Sequence, residues 1–182
     1  MRQTGQAVPD GAVALPPPAL HALRTAALLG EDGATRVRDA GYDAGRALYD
    51  GFTAWCAART GSGVADPAGV PLEAFGSALG DWARAHGWGA LAFEAGDGAD
   101  TGGLPVLRAT HWFEVEPPGT PAVPHPSCHF TTGLLAGFLG RLAGRPLAVL
   151  EVACGSSGDP ACRFVVGGPP ALARLYAARY GK

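Results

Sequence analysis

Residues 127–164 read SCHFTTGLLAGFLGRLAGRPLAVLEVACGSSGDPACRF. A helix is expected over about 130–142, followed by a turn at Gly144-Arg145-Pro146. Residues 146–153 and 162–166 then read as two strands joined by the tight loop GSSGDPA. Glu151 lies within LAVLEVA, whose apolar residues on both strand faces mark burial from both sides. An isolated buried carboxylate costs several kcal/mol, so Glu151 has to be protonated, paired or metal-bound. Cys154 and Cys162 flank the loop, and the hairpin brings both thiols to the end of the sheet beside Glu151. Cys128, just before the helix, can reach the same end.

Three thiols and a carboxylate make a tetrahedral set that suits Zn²⁺. The spacing E-x2-C-x7-C is not that of a standard zinc knuckle. Spacing alone therefore leaves a second reading open, with the cysteines as small buried residues and Glu151 paired to Arg163. His125 and His129 flank Cys128 and are alternative ligands, although the set reaches four without them. A full shell of four protein ligands leaves no position for substrate, which makes such a metal structural. Cys56, alone on an earlier helix, reads as a core residue.

Outward from this stretch, helices come first. Residues 1–17 form a Pro/Gly/Ala tail expected to be mobile, ahead of a single domain over 18–182. Helices are expected over 19–29, 35–59 and 72–85, the last opened by Pro71 and separated from the second by a Gly/Ser/Asp/Pro loop at 61–69. Glycines at 41, 45 and 51 weaken the second helix but let a neighbour pack closely. Strands follow at 90–94 and, as a longer element, 104–116, and then a proline-rich connection at 117–126. A last helix starts at Pro169-Pro170 and ends near Tyr180. This order indicates an α+β domain with an antiparallel sheet packed with helices.

The 182 residues, 47% hydrophobic, suffice for one core. A net charge of −2 with one lysine, Lys182, excludes a general nucleic-acid binder, which needs clustered cations. No stretch reaches the ~18 uninterrupted apolar residues of a membrane span. The N-terminal residues have no secretory signal pattern. Four cysteines without such a signal point to reduced thiols and a cytoplasmic setting.

The same stretch resembles the 4-vinyl reductase domain family, ligand-sensing modules of phenol- and toluene-responsive activators and proteins linked to bacteriochlorophyll synthesis. The matching residues are Cys128, the helix Gly133–Gly140, Gly144-Arg145-Pro146, Glu151-Val152-Ala153-Cys154 and Gly158-x3-Cys162-Arg163-Phe164. The resemblance implies a fold like the TRAPP-subunit and haem-nitric-oxide-sensor superfamily, with a ligand cavity and frequent homodimers. It implies structural zinc on Cys128, Glu151, Cys154 and Cys162. It also implies a small hydrophobic ligand between helices and sheet, with His86, His111, Trp112, Phe113, Phe130, Thr132 and Val149 as ligand-binding candidates, and Trp82 and Phe93 beside them. Thr132 and Val149 stand where phenol sensors carry tyrosines, which implies weak phenol binding and a larger or more apolar ligand. With no P-loop or helix-turn-helix pattern, any signal would pass through a partner protein. The alternative is an accessory or reductase-type protein of tetrapyrrole synthesis acting on or carrying a vinyl-porphyrin. Against direct reductase activity, the sequence lacks a dinucleotide-binding glycine motif.

Overall fold

Proline and glycine set the ends of most elements. The computed structural model describes residues 16–60, 69–98, 100–117 and 119–181. Most of the expected tail (1–15) and most of the expected loop (61–68) lie outside the described residues. Pro17 itself opens the first helix, α1 (Pro17–Ala27), where a proline at the start loses no hydrogen bond. α2 spans Gly33–Thr60 and α3 Leu72–Ala85, with Pro71 at the cap position of α3. β1 (Ala90–Glu94) and β2 (Val106–Thr110) follow, then α4 (His129–Leu142), β3 (Ala148–Ala153), β4 (Cys162–Gly167) and α5 (Pro169–Tyr180).

The strands form one antiparallel sheet in the order β1-β2-β4-β3, so the protein has the α+β fold expected from the order of its elements. Alternation along the strands divides the sheet into two faces. Leu91, Leu107, Ala109, Cys162, Phe164 and Val166 join the main core with α2, α3 and α4. Val106, Val152 and Val165 face the opposite way and pack with Leu172 of α5. Phe52 of α2 is the centre of the main core, with ring centroids of Phe138, Trp82 and Phe75 at 5.3, 5.6 and 5.8 Å. Full burial of such a ring contributes about 3 kcal/mol.

The long strand expected over 104–116 is shorter. Pairing stops at Thr110 because His111 takes a left-handed backbone, φ 51°, and turns the chain. Past that turn the Phe113 N–H donates to the Trp88 carbonyl (2.9 Å), which carries residues 112–116 across to the start of α4. β3 likewise begins two residues later than expected, at Ala148.

α4 lies against the sheet, and α2 lies on α4 in backbone contact. A Cβ placed on Gly41 or Gly45 would drive into the carbonyl of Phe130 or Leu134. One on Gly133 or Gly137 would drive into the carbonyl of Arg38 or Tyr42. The contacts advance together along both helices, so the two run in the same direction. Arg141 closes the far end of the seam on the Arg46 carbonyl (2.7 Å) and Asp50 (2.8 Å). Gly51 does not belong to this seam: it is exposed, and no atom lies within 4 Å of a Cβ built there.

Substitution at these glycines is expected to split by position. Gly45→Ala and Gly133→Ala should lower stability by about 1–3 kcal/mol through overpacking. Gly51→Ala should raise it by about 0.5–1 kcal/mol, because alanine is the better helix former where nothing is displaced. Urea midpoints at an unchanged slope measure both effects.

Candidate metal centre and aromatic interior

Three elements bring the expected donors together. Cys128 occupies the cap position of α4, Cys154 follows β3, and Cys162 opens β4. A single 3-10 turn at Gly155–Ser157 returns the chain, ending at Gly158 in the left-handed region with φ 95°. Asp159 fixes that turn by accepting the Cys154 N–H at 2.8 Å, and Ser157 N–H donates to the Cys154 carbonyl at 2.9 Å. Glu151 sits at a register shift in the β3–β4 pairing, between Glu151 and Ala153.

The donor atoms of Cys128, Glu151, Cys154 and Cys162 all lie within 4.8 Å of one another, and all four residues are buried. The Cys128 sulfur is 3.8 Å from that of Cys154 and 3.7 Å from that of Cys162. A disulfide needs about 2.05 Å, so the thiols are free. Tetrahedral ligands at a Zn–S distance of about 2.3 Å would stand about 3.8 Å apart. The observed spacing therefore fits a shared cation.

Two further features fit one. Glu151 Oε2 accepts the Cys128 N–H at 2.8 Å, whereas its other oxygen, Oε1, is buried without a hydrogen-bond partner. The pKa shifts also point the same way. Burial, then the neighbouring Cys154, pushes Glu151 up to about 8. Hydrogen bonds from Cys128 and Cys162 pull Cys154 well below the thiol range, while Cys128 rises because it hydrogen-bonds those two sulfurs. At Cys162 the hydrogen bond with Cys128 lowers the pKa, but Cys154 and burial outweigh it and hold the thiol at about 12. Four anions in this volume repel one another, and a divalent cation removes that cost. The cluster can thus hold a metal ion.

The alternatives left open by spacing are resolved by geometry. Arg163 pairs with Glu94 and Asp97 at 3.7 and 3.4 Å, away from Glu151. His125 is exposed and His129 half-buried, and neither joins the four-residue group. Cys56 is half-buried against the main core.

The residues expected around a ligand separate into groups. Trp112, Phe113 and Phe130 form a continuous aromatic wall, with centroids 5.2 and 6.2 Å apart. Trp88, which sequence reasoning missed, extends this wall through contacts to Trp112, Phe113, Trp82 and His86. His86 is anchored by its Nδ1 to the Trp82 carbonyl at 2.8 Å. Thr132 is buried in the first turn of α4, and its hydroxyl donates to the His129 carbonyl at 2.8 Å. Val149 is half-buried on the helix-facing side of β3. His111 is exposed in the turn after β2. Phe93 lies elsewhere, in a groove of about 970 Å³ between α3 and β1 that also includes Leu72, Gly76, Gly80 and Leu91.

Sequence reasoning also missed Glu114, which is buried beside the metal cluster. Its Oε1 accepts the Phe130 N–H at 2.9 Å, and its Oε2 accepts the N–H and hydroxyl of Thr131 at 2.8 and 2.7 Å. The Trp112 indole donates to the same hydroxyl oxygen at 2.7 Å. Arg24 of α1 lies 3.7 Å from Glu114 and pairs closely with Glu116. One signal was available: the cap position of α4 is a cysteine, so its first N–H groups need an acceptor from elsewhere.

The family model of the 4-vinyl reductase domain matches residues 114–168, so the likeness to that family is shown over this segment. One similar solved structure is the phenol-responsive sensory domain of the transcription activator PoxR with phenol. It is 18% identical, with a TM-score of 0.63, covering 90% of this chain and 82% of that one. Another is a vinyl-4-reductase family protein from Methanocaldococcus jannaschii, 17% identical, with a TM-score of 0.51, covering 86% and 83% of the two chains. Both show the shared fold. None of the curated proteins compared with the chain matches it.

Burial, the leading cause, holds Glu114 above the usual carboxylate range against its hydrogen bonds to Thr131 and Phe130 and the charge of Arg24. An acid raised by folding binds its proton more tightly in the folded chain. Its contribution to stability is complete below the ordinary value near 4.5 and is lost as pH rises through the raised one. The urea midpoint of the metal-free chain is therefore expected to fall as pH rises above 4.5, and Glu114→Gln should flatten part of that fall. Equal slopes in parent and variant would contradict this assignment.

Proposed function

Because residues 114–168 match the 4-vinyl reductase domain, we propose that the protein is a zinc-stabilised domain that binds and senses a small hydrophobic molecule without catalysing its conversion. The observation that carries this reading is the buried set of three thiols and a carboxylate with one orphaned oxygen. Cys128, Cys154 and Cys162 would hold zinc through sulfur and Glu151 through Oε1. Bound zinc would supply a cross-link between the start of α4 and the β3–β4 hairpin, with no position left for substrate. Sulfur ligands are the donor set that selects zinc over the hard cations Mg²⁺ and Ca²⁺.

The ligand would lie against the aromatic wall of Trp88, Trp112, Phe113 and Phe130, with His86, Thr132 and Val149 at its margins. His111 is the remaining candidate, at the exposed turn. Such a surface offers apolar area and a few orienting polar groups, the usual composition of small-molecule sites. The phenol-bound state of the PoxR domain supports an aromatic ligand class. With threonine at 132 and valine at 149, bulkier aromatic or lipid-like molecules are favoured over phenol. We further propose that the single domain over 18–182 acts as a cytoplasmic homodimer and passes its signal to a partner protein. Among the described residues, no helix is long and apolar enough to cross a membrane.

Native mass spectrometry of the purified chain tests these elements together. The expected mass is that of a dimer with one zinc per chain and any co-purified ligand. Cys154→Ser and Cys162→Ser should lose the metal and much of the thermal stability, since metal affinity is part of the folding free energy. A metal-free parent with full stability in chelator would contradict the zinc assignment.

A thermal-shift and calorimetric screen of phenols, bulkier aromatics, fatty acids and porphyrins tests the ligand. Bulkier compounds are expected to bind in the micromolar range and phenol more weakly. Val149→Trp should abolish binding with zinc content unchanged. No hit at all, or tight phenol binding, would overturn the corresponding part of the proposal.

A further inference from the structure

α4 starts without a cap of its own. Cys128 holds the cap position but makes no side-chain capping bond, so the first N–H groups of the helix depend on outside acceptors. Two carboxylates supply them. Glu151 takes the N–H of Cys128 itself, and Glu114 takes those of Phe130 and Thr131. Glu114 is in turn held from two sides. The Thr131 hydroxyl that donates to it is backed by the Trp112 indole, and Arg24 stands 3.7 Å away with its outer nitrogen on the Ser127 carbonyl at 3.2 Å. Ser127 immediately precedes Cys128, so both sides of that cysteine's backbone are pinned by this group.

We infer that Glu114 is a positioning residue of the metal centre, fixing the first turn of α4 and hence the direction from which Cys128 meets the ion. The inference rests on the reading of Cys128, Glu151, Cys154 and Cys162 as ligands. An uncapped first turn frays, and a fraying turn would carry the Cys128 sulfur out of its place against Cys154 and Cys162. Glu114 prevents this without touching any sulfur. Outer residues that orient metal ligands alter affinity by about 10–100-fold when removed.

Cobalt substitution of the full chain provides the test, because its charge-transfer and ligand-field bands report thiolate number and geometry independently of stability. Co²⁺ affinity is read by chelator competition, and unfolding is measured alongside. Glu114→Gln is compared with Phe75→Leu, a core change on α3 that serves as the stability control. Glu114→Gln is expected to weaken Co²⁺ binding about tenfold or more and to shift the ligand-field bands, while Phe75→Leu lowers stability and leaves both unchanged. If Glu114→Gln keeps the parent spectrum and affinity and merely unfolds earlier, Glu114 serves folding alone and the inference is overturned. If Glu114→Gln does not fold, Glu114→Asp, too short to reach both N–H groups, is judged by the same two outcomes. A parent chain that shows no thiolate–cobalt spectrum overturns the metal reading and the positioning role with it.

Discussion

A carboxylate buried among three thiols is the constraint on which the β3–β4 end of the protein depends. Glu151 is 5% exposed, and the three sulfurs are fully buried. Left ionised and unneutralised, such a group would oppose folding by several kcal/mol. Neighbouring features reduce that opposition: the Cys128 N–H on Oε2, the Gly155 N–H on the Cys162 sulfur at 3.3 Å, and the Asp159 side chain fixing Cys154. None of these satisfies Oε1. A divalent cation bound there would complete the site, and the hairpin turn and the cap of α4 would then be parts of one construction.

The rest of the fold delivers α4 to that point. The glycine seam brings α2 into backbone contact with α4, so small sideways movements of α4 meet carbonyl groups rather than adaptable side chains. Glu114 and Arg24 hold the front end of the helix, and Arg141 holds the rear on Asp50. The aromatic wall is built on the same first turn, through Phe130 and the Trp112–Thr131 hydrogen bond. Metal cluster and aromatic interior therefore share one rigid support. Anything that shifts Trp112 also acts on the turn that carries Cys128.

Much of this was legible in the sequence for identifiable reasons. Prolines at 71, 169 and 170, the glycine at 144 and strict strand alternation mark element ends directly, and these elements fall within two residues of expectation. The four metal donors are close in sequence and joined by one hairpin, so their meeting follows from local structure. The end of β2 was not legible. It depends on His111 adopting a left-handed backbone, which a histidine rarely does and its neighbours do not announce. Glu114 was missed because its hydrogen-bond donors lie 16 and 17 residues further along the chain, beyond the reach of local pattern. Trp88 was missed because it follows α3 as an isolated aromatic, outside any periodic stripe.

X-ray absorption at the zinc edge on the purified chain tests the central claim most directly. Three sulfurs at about 2.3 Å and one oxygen at about 2.0–2.2 Å are expected around each zinc. A shell dominated by nitrogen or oxygen, or protein that is fully folded with no bound metal, would contradict it.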